Sequence, residues 1–185
     1  YSPADSFLRV ASTVLVAMPT FWLAMLLILV FALYLGWLPA GGALTWQSYI
    51  LPTITVGVPY GSKVLRMTRS TMLEEIRQDY VRTARSKGVP EKKVIYGHAL
   101  KNALLPVITT IGSAFGAILG GSVIAESVFN LPGLGSLIVL SIKAKDTPSV
   151  LASVLLLAVF FALIMLIVDL VYAFIDPRIK AKYAK

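Results

Sequence analysis

A long stretch without charge most constrains what this chain can fold into. From Val10 to Ser62 the sequence contains no Asp, Glu, Lys, Arg or His. As a helix, the 23 residues of 13–35 alone would be about 35 Å long, enough to cross a hydrocarbon core of about 30 Å. Charged residues make up only 14% of the chain, against about 25% in soluble domains. We therefore predict an all-α, polytopic membrane helix bundle.

Four apolar stretches predict four transmembrane helices in one domain that covers residues 1–185. The spans are 13–36, 46–67, 102–125 and 147–170, and a polar loop of residues 68–101 separates the second from the third. In the first span we expect Pro19 to kink the helix without ending it, because neighbouring helices can satisfy the freed carbonyl. The second span contains two prolines and two glycines, so it is either a broken helix lining a cavity or a kinked helix facing its neighbours.

The charges between the spans predict which side of the membrane each segment lies on. If the polar loop is cytoplasmic, the inner segments hold 15 of the 17 Lys and Arg residues, and the outer loops hold only Lys143 and Lys145. Because inner loops of membrane proteins carry the excess of basic residues, both chain ends are expected in the cytoplasm. The same bias accounts for the net charge of +8, so we expect a lipid bilayer and no nucleic acid as partner.

The polar segment from Lys63 to Lys101 holds 10 of the 17 basic residues and has a helical design. We expect the second span to continue as a helix beyond the membrane to Asp79. Four residues spaced four apart then share one face: Ile76, Tyr80, Ala84 and Gly88. Gly88 suits a helix C-terminus, and Pro90 suits the first turn of a second helix from Glu91 to about Lys101. The small face at Ala84 and Gly88 indicates a docking element for a cytoplasmic partner.

Small residues recur at every fourth position of the third span, at Gly112, Gly116 and Gly120. In lipid, small residues let helix backbones approach closely, because apolar side chains gain little from meeting each other there. The pattern therefore predicts a helix-packing face and indicates no chemistry.

Few residues offer chemistry of their own. His98 is the only histidine, the chain has no cysteine, and no cluster of metal ligands surrounds His98 in the sequence, so we expect it on a helix surface or in packing. Glu126 ends the third span on the outer side, where it either caps a helix end or contacts another protein. The sequence contains no phosphate-binding Gly-x-x-x-x-Gly-Lys-Ser/Thr loop and no His-Glu-x-x-His motif, so we predict no catalytic residue, no metal site and no cofactor bound by this chain.

Two neighbouring motifs of the loop resemble a known family. Asp79 to Gly88 reads Asp-Tyr-Val-Arg-Thr-Ala-Arg-Ser-Lys-Gly, and His98 to Pro106 reads His-Ala-Leu-Lys-Asn-Ala-Leu-Leu-Pro. Both are similar to the conserved cytoplasmic loop of the dipeptide, oligopeptide and nickel branch of ABC importer permeases. Further motifs follow in the family's order: Pro19 to Trp22, Gly36 to Pro39, Gly120-Gly121, Glu126 with Phe129, Pro132 to Gly135, and Asp176 to Arg178.

The resemblance implies a permease domain in a bacterial or archaeal inner membrane that imports di- or oligopeptides, with nickel or another small solute as the alternative. It implies two cytoplasmic ATP-binding subunits that use ATP and Mg²⁺, a second permease subunit and an extracytoplasmic substrate-binding protein. Members usually have six transmembrane helices, and the chain resembles them from just before the third helix onward. A channel or secondary carrier is the alternative from another class.

The resemblance also implies roles for two sets of residues. Tyr80 to Gly88 would be the coupling helix, which sits in a groove of an ATPase subunit. The expected coupling residues are Asp79, Tyr80, Val81, Arg82, Thr83, Ala84, Arg85, Lys87, Gly88, His98 and Asn102. The residues expected in an outer loop that helps to form a gate are Glu126, Phe129, Pro132 and Gly133.

Overall fold

Helices make up the regular structure of the chain. The computed structural model describes residues 3–175, without the side chains of residues 120, 121, 172 and 175. The helices are α1 (Pro3–Ala17), α2 (Thr20–Leu27), α3 (Ile50–Glu75), α4 (Asp79–Ser86), α5 (Glu91–Lys93), α6 (Leu100–Val128), α7 (Leu134–Lys143) and α8 (Thr147–Ile175). A π-helical segment, Ile28–Tyr34, extends α2, a second one, Val94–Ala99, joins α5 to α6, and a 3-10 turn, Trp46–Tyr49, precedes α3. No strand occurs in the described range, which confirms the all-α prediction.

The first predicted span is divided at Pro19. The helix ends at Ala17, and the Pro19 carbonyl accepts the first hydrogen bonds of α2, from the backbone N–H groups of Trp22 and Leu23 at 3.0 and 3.1 Å. The two helices meet at 106°. The expectation of a kinked but continuous helix was therefore wrong, because proline lacks an N–H and disfavours helical backbone at the residue before it.

The second predicted span is one unbroken helix. α3 runs for 26 residues with Pro59 inside it, and it continues past the predicted end of the span at residue 67. It packs along α6 and, through its second half, against α1. At that second half, Arg69 forms a two-point ion pair with Asp5 of α1, with Nε–Oδ1 and Nη2–Oδ2 distances of 2.6 and 2.8 Å. The helix is therefore not broken, although it does line cavities with its neighbours.

α6 packs closely against α8 at the glycine face of the third predicted span. A Cβ atom added to Gly112 would lie 2.7 Å from Cγ1 of Val168, and one added to Gly116 would overlap the ring of Phe161. The backbone of α6 can therefore approach α8 only where side chains are absent, as expected for a packing face. The surroundings of Gly120 lie outside the described residues.

A buried apolar cluster closes one end of the bundle, which we call the Phe129 end. Its fully or nearly fully buried members are Ala24, Leu51, Ala125 and Phe129. The loop before α3 lies across this cluster, where the Gly42 N–H donates to the Phe129 carbonyl at 2.8 Å. α4 lies at the opposite end, which we call the α4 end.

Two helices of the described range are long and apolar enough to cross a membrane, Glu91–Leu119 and Thr147–Val171. The bent pair of α1 with α2 and its π-helical extension adds a third if the two parts form one span. α3 does not meet the same criterion, since its second half carries several charges. The division into four spans remains a prediction.

Candidate docking site on the α4 loop

The segment between α3 and α6 contains a short helix set off by turns at both ends. α3 ends at Glu75, and hydrogen bonds across three or four residues close a tight turn up to Gln78, whose extended backbone precedes α4. The expected uninterrupted helix up to Asp79 was therefore wrong. This break matters because it lets α4 take a different direction from α3 and lie across the end of the bundle.

Gly88 ends α4 as the sequence predicted. Its φ is +73°, in the left-handed region that glycine adopts without steric cost. The Val89 N–H donates to the Ala84 carbonyl at 3.3 Å, and the Gly88 N–H donates to the Arg85 carbonyl at 2.9 Å. These two bonds form the Schellman arrangement that satisfies the last carbonyls of a helix. The chain then turns sharply through Pro90, the residue immediately before α5.

The inner face of α4 is packed against its own chain. Val81, Val94 and Ala99 are fully buried in one cluster, and Ala84 and Val89 pack against it. Burial of a valine side chain stabilises a fold by about 1.5–3 kcal/mol. Ala84 packs against this cluster but stays half-exposed, so its contact with a partner remains a prediction. The periodicity correctly grouped Ala84 with apolar neighbours, but it could not tell an internal contact from an external one.

An ion pair links α4 to the helix that follows it. Nε and Nη2 of Arg85 donate to Oε2 and Oε1 of Glu91 at 3.0 and 2.7 Å. This two-point contact fixes orientation as well as distance, because both the guanidinium and the carboxylate are planar. The hydrogen bonds with Arg85 hold the pKa of Glu91 below its ordinary value, and Glu91 raises the pKa of Arg85.

A second contact holds the start of α4 beside the long helices that flank the loop. The Tyr80 hydroxyl donates to Oε2 of Glu75, at the end of α3, at 2.5 Å. Partial burial raises the pKa of Tyr80, the bond to Glu75 raises it further, and a hydrogen bond from Asn102 of α6 lowers it. The observed hydrogen bond of Tyr80 thus joins the start of α4 to the end of α3.

The outer face of α4 is polar and exposed. Arg82, Thr83 and Ser86 of α4 are exposed, and so is Lys87 directly after the helix. The two hydroxyls bond to carbonyls of their own helix, at Asp79 and Arg82. Arg82 reaches Asp79 only at 3.6 Å, and both side chains are largely exposed. Such a contact contributes little in water. This face therefore offers cationic and hydroxyl groups to a partner on a helix that the chain itself holds in place.

His98 lies on the exposed surface of the π-helical segment after α5. The described residues contain no group of three side chains that could hold a metal ion.

At the Phe129 end, the predicted outer-loop residues connect the end of α6 to the start of α7. Oε2 of Glu126 accepts the Ser136 backbone N–H at 2.8 Å, in the first turn of α7. A Cβ atom at Gly133 would overlap this carboxylate, and Pro132 is exposed beside it. Of the two roles left open for Glu126, the structure supports helix capping, although the capped helix is the next one along the chain. Phe129 is fully buried, so its side chain is not at the surface.

Several residues that form these contacts were not predicted from the sequence. Glu75 was not singled out in the sequence, and Glu91 was expected only as the start of the second loop helix, yet the two carboxylates hold both ends of α4. A carboxylate six residues after Arg85, across a Gly-Val-Pro turn, is a signal that could have suggested the second pair. α7 was also missed, although Leu134–Lys143 is an apolar run too short to span a bilayer, as is typical of a membrane-edge helix.

The fold and the loop define a class of protein: an integral membrane subunit whose polar loop carries a rigidly held helix beyond its apolar helices. The chain belongs to the family of binding-protein-dependent transport system inner membrane components, whose pattern matches residues 1–181. This confirms the family resemblance inferred from the loop motifs.

Individual relatives show the same relationship. The chain is 48% identical over 167 residues to glutathione transport system permease proteins GsiC from Escherichia coli strain K12, Shigella dysenteriae serotype 1 and Salmonella paratyphi A. These alignments cover 90% of this chain and 55% of each relative. The chain therefore spans about half the length of the curated relatives that it matches.

Proposed function

We propose that this chain is the membrane-spanning part of a permease subunit in an ATP-driven importer, and that it forms part of one half of the translocation path. Its family membership supports the transport role. The polar loop, which carries 10 of the 17 basic residues when counted from Lys63 to Lys101, is the cytoplasmic side in this proposal. The Phe129 end then faces the substrate-binding protein, and a second permease subunit completes the path.

The rigid connection between α4 and α6 carries the proposal. Three contacts fix α4 relative to the helix that re-enters the bundle: the Gly88 turn, the Arg85–Glu91 pair and the Val81–Val94 packing. From Glu91 the chain continues helically to Val128 without a break. A displacement of α4 by a closing ATPase dimer would therefore move α6 as well, instead of being absorbed in a flexible loop. Coupling through a rigid element with two positions is an established route between distant sites.

The outer face of α4 is the surface that we assign to the ATPase subunit. Arg82 and Lys87 suit an acidic groove, and Thr83 suits close contact because it is small and polar. Ala84 and Gly88 support this face from behind, through packing and through the turn. Two copies of the ATPase subunit would serve the two permeases, and they would bind the ATP and Mg²⁺.

We assign di- and oligopeptides as the transported class. The relatives at 48% identity are named as glutathione transport system permeases, and glutathione is a tripeptide. A nickel or other small-solute importer of the same family would share the loop but not the substrate.

The proposal is tested by co-purification of the full-length subunit with the ATPase encoded beside it. Arg82→Glu reverses a charge on the outer face of α4. Lys143→Glu makes the same change of charge near the Phe129 end and is the matched control. We expect Arg82→Glu to lose the ATPase and ATP-driven trialanine uptake while the protein stays folded, and Lys143→Glu to retain both.

Retention of the ATPase by Arg82→Glu would overturn the assignment of this face. If the wild-type chain never co-purifies with an ATPase, the result would favour the interpretation as a channel or secondary carrier. A wild-type complex that carries nickel but no peptide would overturn the substrate class only.

A further inference from the structure

A polar cavity opens between the middle of α3 and the first half of α6. Its volume is about 440 Å³, and its polar lining consists of Lys63 from α3 with Thr109, Thr110 and Ser113 from α6. A second cavity of about 420 Å³, toward α1, shares Lys63 and Thr110 and is also lined by Arg66. Lys63 therefore stands between two adjoining cavities.

The position of Lys63 makes lipid an unsuitable neighbour. It lies thirteen residues after Ile50, the first residue of α3, or about 20 Å along the helix axis. Lys63 is four residues from the inner end of the predicted span 46–67, where a lysine keeps its ammonium in water or beside polar groups instead of in hydrocarbon. No Asp or Glu lines either cavity, and Lys63 forms no ion pair among the described residues.

The α6 side of the cavity supports the same conclusion. Thr109 and Ser113 are exposed one turn apart, whereas the exposed residues at the corresponding depth of α8 are apolar, such as Leu163 and Ile167. Thr109 and Ser113 therefore form a polar strip on α6, beside the exposed apolar side chains of Ile111 and Phe115. The bundle thus presents two different surfaces, an apolar one on α8 and a hydroxyl-lined one on α6.

The hydrogen bonds of the cavity show which ligand chemistry it would accept. Thr110 donates its hydroxyl proton to the Pro106 carbonyl at 2.9 Å, and Ser113 donates to the Thr109 carbonyl at 3.0 Å. The hydroxyl oxygens keep lone pairs that accept hydrogen bonds from the cavity side. The Lys63 ammonium is the strong donor of the cavity and its one positive charge. An anionic group beside Lys63 with N–H donors beside the hydroxyls matches this arrangement.

We propose that this cavity is a section of the substrate path and that Lys63 attracts the carboxylate of a passing peptide. The inference rests on the proposed transport of peptides, which bear a carboxylate and several N–H groups. A single ammonium in a hydrated cavity suits this role, since a solute in transit must be bound weakly enough to leave.

Water access is tested in the assembled complex with single-cysteine variants. Residues 1–185 contain no cysteine, so each variant introduces the one thiol of this segment, and the subunit without the added cysteine is the labelling control. Ser113→Cys tests the cavity, and Ile167→Cys on the exposed side of α8 at the same depth is the matched control. A membrane-impermeant maleimide is applied separately to inside-out and right-side-out vesicles, so that it can reach the cavity from either side of the membrane. It should label Ser113→Cys and leave Ile167→Cys unlabelled. If the maleimide labels neither variant, the assignment of the hydroxyl-lined face of α6 to a water-filled path is overturned.

The role of the charge is tested by uptake of trialanine. Lys63→Met removes the ammonium and keeps an unbranched apolar side chain, and Lys63→Arg restores a cation. We expect Lys63→Met to lower uptake about fivefold at low trialanine concentration while the ATPase still co-purifies, and Lys63→Arg to recover most of it. Uptake by Lys63→Met at the wild-type rate would overturn the role of Lys63 alone. A wild-type complex that carries no trialanine would overturn the peptide assignment in both proposals.

Discussion

Gly88→Ala separates the geometry of the α4 turn from its packing. Nothing lies within 4 Å of a Cβ atom placed at Gly88, so the substitution creates no clash. Its cost comes only from the backbone, because φ is +73° there and an alanine in left-handed conformation loses about 1–2 kcal/mol. A loss of this size raises the population of an opened turn about 5- to 30-fold.

Gly57→Ala is the matched control for this substitution. A Cβ atom at Gly57 also meets nothing within 4 Å, but Gly57 lies inside α3 and has no positive φ. Both alanines restrict the unfolded chain to the same degree, so the difference between the two variants isolates the backbone strain at Gly88. Gly88→Asn should recover much of the loss, because asparagine tolerates the left-handed region better than alanine.

Limited tryptic digestion of the detergent-solubilised protein measures the opening of the turn. The loop offers cleavage sites at Arg85 and Lys87, and a protease needs the chain to leave its helical conformation. When opening and closing are fast, the cleavage rate follows the opened population. We expect cleavage about 5- to 30-fold faster in Gly88→Ala and unchanged in Gly57→Ala. Equal cleavage rates in the wild type and Gly88→Ala would refute the claim that the Gly88 turn holds α4 in place.

Two further predictions concern helix packing and pH. Gly112→Ala should lower the free energy of unfolding by about 1–3 kcal/mol, because its Cβ meets the stiff side chain of Val168, and Val168→Ala should restore stability in thermal unfolding assays. If the double variant is no more stable than Gly112→Ala, the α6–α8 contact is not the cause. The pKa of Glu91 is lowered in the folded protein by its bond to Arg85, so the contribution of this pair is present above the unfolded value and is lost as the pH falls below about 4.5. Hydrogen exchange of α4, corrected for intrinsic rates, should lose protection in that range in the wild type but not in Glu91→Gln, and the same loss in both proteins would contradict this role.

The sequence alone identified those features that depend on local composition. Charge-free stretches long enough to cross a bilayer indicated a helical membrane protein, and the loop motifs placed it in its family. The Gly88 turn was also predictable, since one residue type serves the left-handed end of a helix best. Each of these inferences depends on a few neighbouring residues, whose preferences do not depend on the rest of the fold.

The tertiary structure decided which way each face points and where each helix bends. Pro19 was compatible with a kink or a stop, and only the structure shows that α1 ends at Ala17 and that α2 sets off at 106° to it. Ala84 had the spacing of a docking face, and the fold packs one side of it against Val94 and Ala99 from beyond the Gly88 turn. Glu126 became a cap for α7, and Lys63 came to stand among hydroxyls of α6, because packing of the helices brought them together. Spacing along one helix defines a face, whereas the partner of that face is set by contacts between residues far apart in the chain.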